Sequence, residues 1–154
     1  MNYKERYYTA HANMSVKKYP NVVKDGLYTL PTIPKIKTAN GLTKFICNYL
    51  NWTGANATRI SSAGRYIEKK NHLGHKIAGG GMFIPSTTRK GTADITATIF
   101  GRSVKIEIKV GNDKPSKEQL MEQQRERAAQ GIYEFISTPD EFLLLYDKIC
   151  NNEI

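Results

Sequence analysis

Residues 91–119 read GTADITATIFGRSVKIEIKVGNDKPSKEQ, and this stretch decides the predicted fold. Two runs rich in β-branched residues, 92–100 and 103–110, flank a turn predicted at Gly101-Arg102, which indicates a short β-hairpin. Polar and apolar residues alternate in both runs, and side chains two positions apart lie on one face of a strand. The pattern therefore predicts a hairpin with one polar and one apolar face.

Two acids and a lysine stand on the polar faces of these strands. Asp94 belongs to the first strand, and Glu107 and Lys109 project together from the second. If the two polar faces coincide, Asp94 approaches Glu107 across the ladder. Hard cations such as Mg²⁺ take carboxylate, water and phosphate oxygens, and a neighbouring lysine can stabilise charge on phosphorus or orient a water. The spacing can build a phosphodiester-cleaving metal site; the alternative is an amphipathic hairpin with a solvated polar face.

Taken together, these motifs resemble the VRR-NUC group of the PD-(D/E)XK nuclease superfamily. That group combines a glycine three residues before an aspartate, a hairpin into Glu-x-Lys, and a Ser-x-x-Gln that opens a helix. A preceding strand in the group often carries arginine, then serine and glycine. The resemblance covers roughly residues 41–150. The matching segments here are Gly91-Thr-Ala-Asp94, Glu107-Ile-Lys109, Ser116-Lys-Glu-Gln119 and Arg59-Ile-Ser-Ser-Ala-Gly64.

The resemblance implies a restriction-endonuclease-like α/β fold, in which an αβββαβ core has a mixed central sheet flanked by helices. It implies a DNA endonuclease that depends on Mg²⁺ or Mn²⁺, with selectivity for branched, flap or junction DNA as a further expectation. Asp94 and Glu107 would be metal ligands, together with the backbone carbonyl of Ile108. Lys109 would be the catalytic lysine, and Gln119 would complete the site from the helix.

Two departures from the family pattern leave the number of metals open. Ala93 stands where the family's signature proline precedes the first acid. Many members also supply an acid from the first core helix, whereas the helix predicted here, Gly41 to Trp52, contains none. The competing hypothesis is a nucleic-acid-binding module or degenerate nuclease that does not cut. A weaker one is a structural component of a larger complex.

Gln119 has a second interpretation. Ser116 to Gln119 has the pattern of a capping box, in which the serine closes the helix start and the glutamine reaches back to its amide. The predicted helix runs from Lys117 to Gln130 and ends before Gly131. The sequence leaves the capping and catalytic roles of Gln119 equally open.

Basic residues around the hairpin are predicted to contact substrate phosphates. Arg59 is a further candidate, although it could equally pair with Glu68 or Glu134. The His-x-x-His of 72–75 is interpreted as part of a solvated loop. The predicted phosphate contacts are Arg89, Lys90, Lys114 and Lys117.

Composition fits a small single-domain protein that acts on nucleic acid. The 154 residues carry a formal net charge of +9. Residues 1–44 hold eight Lys or Arg against two acids, and five of the nine tyrosines fall in the first 28 residues. We predict a basic, Tyr-rich extension over residues 1–40 and a nuclease domain over 41–154. The extension could bind phosphates and stack on unpaired bases, cover the edge of the core, or contact another subunit.

Other features bear on location and partners. No stretch approaches the ~20 apolar residues of a membrane-spanning helix, and the start MNYKERYY lacks the apolar region of a secretory signal. Cys47 and Cys150 lack metal-ligand spacing, which favours reduced thiols in a cytoplasmic, soluble protein. DNA is the expected partner, and a homodimer is plausible because cutting both strands needs two active sites.

The remaining segments complete the expected order α-β-β-β-α-β-α. Residues 21–37 are predicted to be irregular, Ala57 to Glu68 to form one strand, and 69–90 to form a loop or hairpin. Ile132 to Ser137 is predicted as a strand, followed by a helix capped by Thr138.

Overall fold

A mixed sheet flanked by helices organises the chain. The computed structural model describes residues 1–61 and 64–154. Within them the elements are α1 (Tyr3–Lys18), α2 (Pro20–Lys24), α3 (Ala39–Trp52), β1 (Asn56–Arg59), β2 (Arg65–Lys70), β3 (Lys76–Ile84), β4 (Ile95–Ile99), β5 (Arg102–Ile108), α4 (Lys117–Ala128), β6 (Ile132–Ile136) and α5 (Pro139–Cys150).

The main sheet has the strand order β1-β4-β5-β6. The pairs β1–β4 and β4–β5 are antiparallel, and β6 runs parallel to β5. A parallel pair needs a crossover connection, and α4 supplies it here. The prediction of an α/β protein with a mixed central sheet is confirmed. β2 and β3 form a separate two-stranded antiparallel sheet.

The predicted hairpin forms with its turn one residue earlier than expected. Ile99 pairs with Arg102, so the two-residue loop is Phe100-Gly101 and not Gly101-Arg102. Phe100 has φ +48° and Gly101 has φ +80°. Two positive φ values are the signature of the type I′ turn, which matches the twist of the flanking strands.

The apolar face of the main sheet packs into the core. Ile95, Ile106 and Val104 are fully buried there with α3 and α5 side chains such as Phe45 and Phe142. At ~25 cal/mol per Å² of apolar surface, side chains of this size each contribute about 1.5–3 kcal/mol on burial. This packing fixes which face of the hairpin remains for polar residues.

The N-terminal segment is helical and reaches the core. A capping box formed by Asn2 and Glu5 starts α1. Tyr7 is fully buried and its ring stacks on Phe45 with centroids 4.6 Å apart. Arg6 makes two hydrogen bonds to Asp147 at 2.6 and 2.7 Å. Tyr7 of the tyrosine-rich extension is therefore part of the core and is not exposed for base stacking.

The single strand predicted over Ala57 to Glu68 is wrong. The ladder of β1 on β4 ends at the pair Arg59–Ile95, and β2 then pairs with β3. The expected continuity fails because the two halves face different surroundings: Ala57 is buried, whereas every residue of β2 is exposed. Residues 62 and 63, part of the arginine-strand motif, lie outside the described residues. Residues 69–90 were predicted to form a loop or a hairpin, and the structure has a hairpin there, made of β2 and β3.

Candidate active site

The register of the hairpin brings Asp94 and Glu107 together. Ile95 pairs with Ile106, so one further step places Asp94 opposite Glu107. The backbone amide of Ile108 donates a hydrogen bond to Oδ2 of Asp94 at 3.1 Å. The two polar faces therefore coincide, as the alternation predicted.

Glu107 is a buried carboxylate with one oxygen occupied and one without a partner. Its side chain is only 6% exposed. Oε1 accepts a hydrogen bond from the side-chain amide of Gln119 and lies 3.4 Å from Nζ of Lys109. Oε2 is buried and has no hydrogen-bond partner among residues 1–61 and 64–154. A buried, unsatisfied oxygen is costly, so this atom marks where a ligand would be accommodated.

Burial, followed by the negative charge of Asp94, raises the pKa of Glu107, which reaches about 7. Lys109 opposes this rise without cancelling it. Desolvation and a like charge both disfavour the ionised form. A cation between the two carboxylates would reverse that balance.

Lys109 lies beside this pair and is held in place from several sides. It is 8% exposed, and its Nζ is 3.2 Å from Oδ2 of Asp113. Its backbone amide donates to the carbonyl of Ile136 at 2.9 Å. The alternative of a solvated polar face is thus wrong for Glu107 and Lys109, because both residues are buried. The sequence analysis missed Asp113, because a spacing of four residues brings side chains together on a helix and residues 109–113 are not helical.

Gln119 caps the start of α4 and contacts Glu107 at the same time. Its Oε1 accepts from the Ser116 amide at 2.8 Å, and the Ser116 hydroxyl accepts from the Gln119 amide at 3.3 Å. The capping box at the start of α4 is therefore present. The Nε2 of the same side chain contacts Glu107.

Gly91 lies just before β4 and packs closely against α4, and Tyr133 on β6 bonds to it. Gly91 has φ +84°, and a Cβ at this position would overlap the carbonyl of Glu118 on α4. The fully buried Tyr133 hydroxyl donates to the Gly91 carbonyl at 3.0 Å. Burial, together with the charges of Glu107 and Asp94, raises the pKa of Tyr133, which keeps this donor protonated. Sequence reasoning missed Tyr133, which its strand pattern presented only as an apolar residue.

A cavity of about 450 Å³ opens onto Glu107. Its walls are the loop 86–92 and the start of α4, including Ser116 and Gln119. Arg89 and Lys90 are part of this wall, and Arg89 lies 3.4 Å from the buried carboxylate of Glu122. The wall that leads to Glu107 therefore carries two basic side chains, Arg89 and Lys90, and one further acid, Glu118.

The other predicted phosphate contacts lie away from the cavity wall. Lys114 and Lys117 are exposed and do not line it. Arg59 is exposed and donates to Oδ1 of Asn40 at 2.6 Å. The suggested partners of Arg59 are taken by others, since Glu68 pairs with Lys76 and Glu134 with Arg127.

The donor set offers two carboxylates for a metal. No group of three or more His, Cys, Asp or Glu side chains suited to a metal occurs in the part of the chain that the structure describes. Asp94 and Glu107 fit a hard divalent cation that takes its remaining oxygens from water and substrate phosphate. The unpartnered Oε2 of Glu107 supports this fit.

Comparison with known proteins gives no match. No family model, no curated protein and no solved structure matches the chain. None of the helices within residues 1–61 and 64–154 has both the length and the apolar character needed to cross a membrane.

Proposed function

We propose that the protein is a metal-dependent DNA endonuclease with a restriction-endonuclease-like core of the VRR-NUC type. The observation that carries the proposal is the cross-strand pair Asp94–Glu107. Glu107 is buried, its Oε2 has no hydrogen-bond partner within the described residues, and its Oε1 lies 3.4 Å from the buried Lys109. A structural hairpin has no need of two acids and a lysine in such a position, since buried charges are expensive. The order of α3, the hairpin strands, α4 and β6 also suits the expected core.

Asp94 and Glu107 would hold Mg²⁺ or Mn²⁺, with the carbonyl of Ile108 as a further ligand. The bound cation would supply polarisation of the scissile phosphate and a more acidic water. The chain itself keeps the two carboxylates in place: the Ile108 amide orients Asp94, and Gln119 orients Glu107. These contacts leave Oε2 of Glu107 free to bind a cation.

Lys109 supplies a positive charge where the phosphoryl group would become more negative. It is nearly buried, so its charge acts in a medium of lower dielectric than water. Asp113 and Glu107 hold its ammonium group at 3.2 and 3.4 Å. Lys109 thus requires no reorganisation to stabilise the transition state.

The net charge of +9 favours a polyanionic substrate. Arg89 and Lys90, on the cavity wall, would contact phosphates next to the scissile bond. Lys114, Lys117 and Arg59 would contact phosphates farther along the strand. Selectivity for branched or flap DNA, and a homodimer that cuts both strands, belong to the same proposal.

A non-cleaving nucleic-acid-binding protein is the second candidate. One observation favours it: α3 contains no acid to add to the metal site. The experiment is incubation of the purified protein with labelled duplex, single-stranded, flap and four-way DNA in Mg²⁺, Mn²⁺, Ca²⁺ or EDTA. We expect cleavage in Mg²⁺ or Mn²⁺ and binding without cleavage in Ca²⁺. Binding in every metal with cleavage in none would favour the second candidate.

A further inference from the structure

The β2–β3 hairpin stands apart from the main sheet. Every residue of β2 is exposed, and every residue of β3 except the half-buried Gly80 is exposed as well. The two strands pack chiefly on each other. An isolated two-stranded hairpin is at best marginally stable in water, so a surface of this kind has a use that its own packing does not explain.

Large apolar side chains cover this exposed hairpin. They lie on both faces and at the turn, and contiguous exposed apolar surface marks interaction sites. The exposed fractions are Tyr66 60%, Ile67 39%, Leu73 69%, Ile77 42%, Met82 64%, Phe83 60% and Ile84 38%.

Two of these residues form an aromatic pair. Tyr66 and Phe83 are directly opposite each other in the ladder and so share a face. The end of each ring rests on a glycine, because a Cβ at Gly81 would overlap Tyr66 and a Cβ at Gly64 would overlap Phe83. The rings are therefore held in place while 60% of each residue remains exposed. Aromatic groups fixed in this way lose little entropy on binding.

The charge of the hairpin selects the kind of partner. Residues 64–84 contain four Lys or Arg against a single acid, a net charge of +3. Two copies of this surface would repel each other, whereas a polyanion would be attracted. The chain continues from Ile84 into the cavity wall at Ser86, so a strand bound on the hairpin would lead towards Glu107.

We propose that the β2–β3 hairpin is a nucleic-acid-binding arm and that Tyr66 and Phe83 stack on unpaired bases beside the cavity. The inference rests on the proposed function only in taking nucleic acid as the substrate. Base–aromatic stacking tolerates any sequence, so the arm selects for single-stranded character and not for particular bases. The arm would give the protein a preference for flap or branched DNA over blunt duplex.

The test measures binding by fluorescence anisotropy in Ca²⁺ with labelled single-stranded, flap and blunt duplex DNA. Tyr66→Leu and Phe83→Leu remove a ring and keep an apolar side chain. Each should weaken single-stranded and flap binding about tenfold while changing duplex binding less than about twofold. The control, Met82→Ala, removes an exposed side chain from the other face and should leave all three affinities unchanged. Phe83→Trp should retain affinity, and its emission should change on single-stranded DNA but not on duplex.

Equal losses on duplex and single-stranded DNA, or no loss, would overturn the inference. A second copy as the true occupant would appear as a dimer in sedimentation, abolished by Phe83→Leu and by Met82→Ala alike. The binding measurement does not depend on cutting. Ring-dependent binding by a protein that cleaves nothing in Mg²⁺ would therefore refute the endonuclease and keep the arm. If loss of either ring changes neither cleavage nor binding, the arm is refuted and the endonuclease stands.

Discussion

The side-chain amide of Gln119 donates a hydrogen bond to Oε1 of Glu107, while its carbonyl oxygen accepts the backbone amide of Ser116 at 2.8 Å. One residue thus starts α4 and orients a buried carboxylate. The cap and the contact with Glu107 use different atoms of the same amide. Folding of the helix start and positioning of Glu107 are therefore coupled.

Gln119→Glu separates these roles. Glutamate also completes a capping box, but it cannot donate to Glu107 and adds a negative charge beside it. We expect metal-free stability above neutral pH to fall by about 1–3 kcal/mol, together with a loss of cleavage. Urea unfolding and a cleavage assay measure the two effects. Ser116→Ala is the control: it should cost about 1 kcal/mol through the cap and leave cleavage near normal. Wild-type stability and cleavage in Gln119→Glu would disprove the coupling.

Glu107→Gln should stabilise the metal-free protein in a pH-dependent way. The folded state raises the pKa of Glu107 to about 7, so the contribution of Glu107 to stability is full below its ordinary pKa and is lost as pH rises through about 7. The neutral variant escapes that loss, which amounts to at most about 3 kcal/mol. Urea unfolding in EDTA should show a gain at about pH 8 that nearly vanishes at about pH 4. A gain that is independent of pH would contradict the assignment.

Gly91→Ala should be far more harmful than Gly101→Ala. Both glycines have positive φ, +84° and +80°, and a Cβ at Gly101 meets nothing within 4 Å. At Gly91 it would also overlap the carbonyl of Glu118. We expect about 1 kcal/mol of destabilisation at Gly101 and about 3 kcal/mol or more at Gly91, with loss of cleavage only at Gly91. Thermal unfolding and a parallel cleavage assay measure these effects. Equal destabilisation by the two substitutions would show that close packing of Gly91 against α4 is not what makes Gly91→Ala harmful.

Arg89 and Lys90 should contribute to binding through phosphate charge. Arg89→Ala and Lys90→Ala should each weaken binding to all DNA sequences and reduce the slope of log affinity against log salt by about one. Anisotropy titrations in Ca²⁺ over a series of salt concentrations provide the slopes. Lys148→Ala, an exposed lysine on α5, is the control and should leave the slope unchanged. An unchanged slope for Arg89→Ala would remove it from the interface.

The sequence predicted the parts of the site that depend on local periodicity. Alternation alone predicted that Glu107 and Lys109 share one face. The turn residues predicted the hairpin loop to within one position of where it is observed. Tyr133 could not be found in this way, because its hydroxyl contacts Gly91, which lies 42 positions earlier in the chain. The helix α1 was also missed. It buries only Tyr7, Ala10 and Ser15, so its apolar periodicity is weak and its tertiary contacts stabilise it.

The most direct test is the rate of phosphodiester cleavage in Mg²⁺ with enzyme in excess, for Asp94→Ala, Glu107→Ala and Lys109→Ala. Lys105→Ala is the matched control, since Lys105 lies on the same face of β5 as Glu107 but pairs with Glu126 at 2.6 Å. We expect all three site variants to lose cleavage while binding DNA in Ca²⁺, with Lys105→Ala close to wild type. Near-normal cleavage by the three site variants would contradict the proposal that Asp94, Glu107 and Lys109 form the hydrolytic centre.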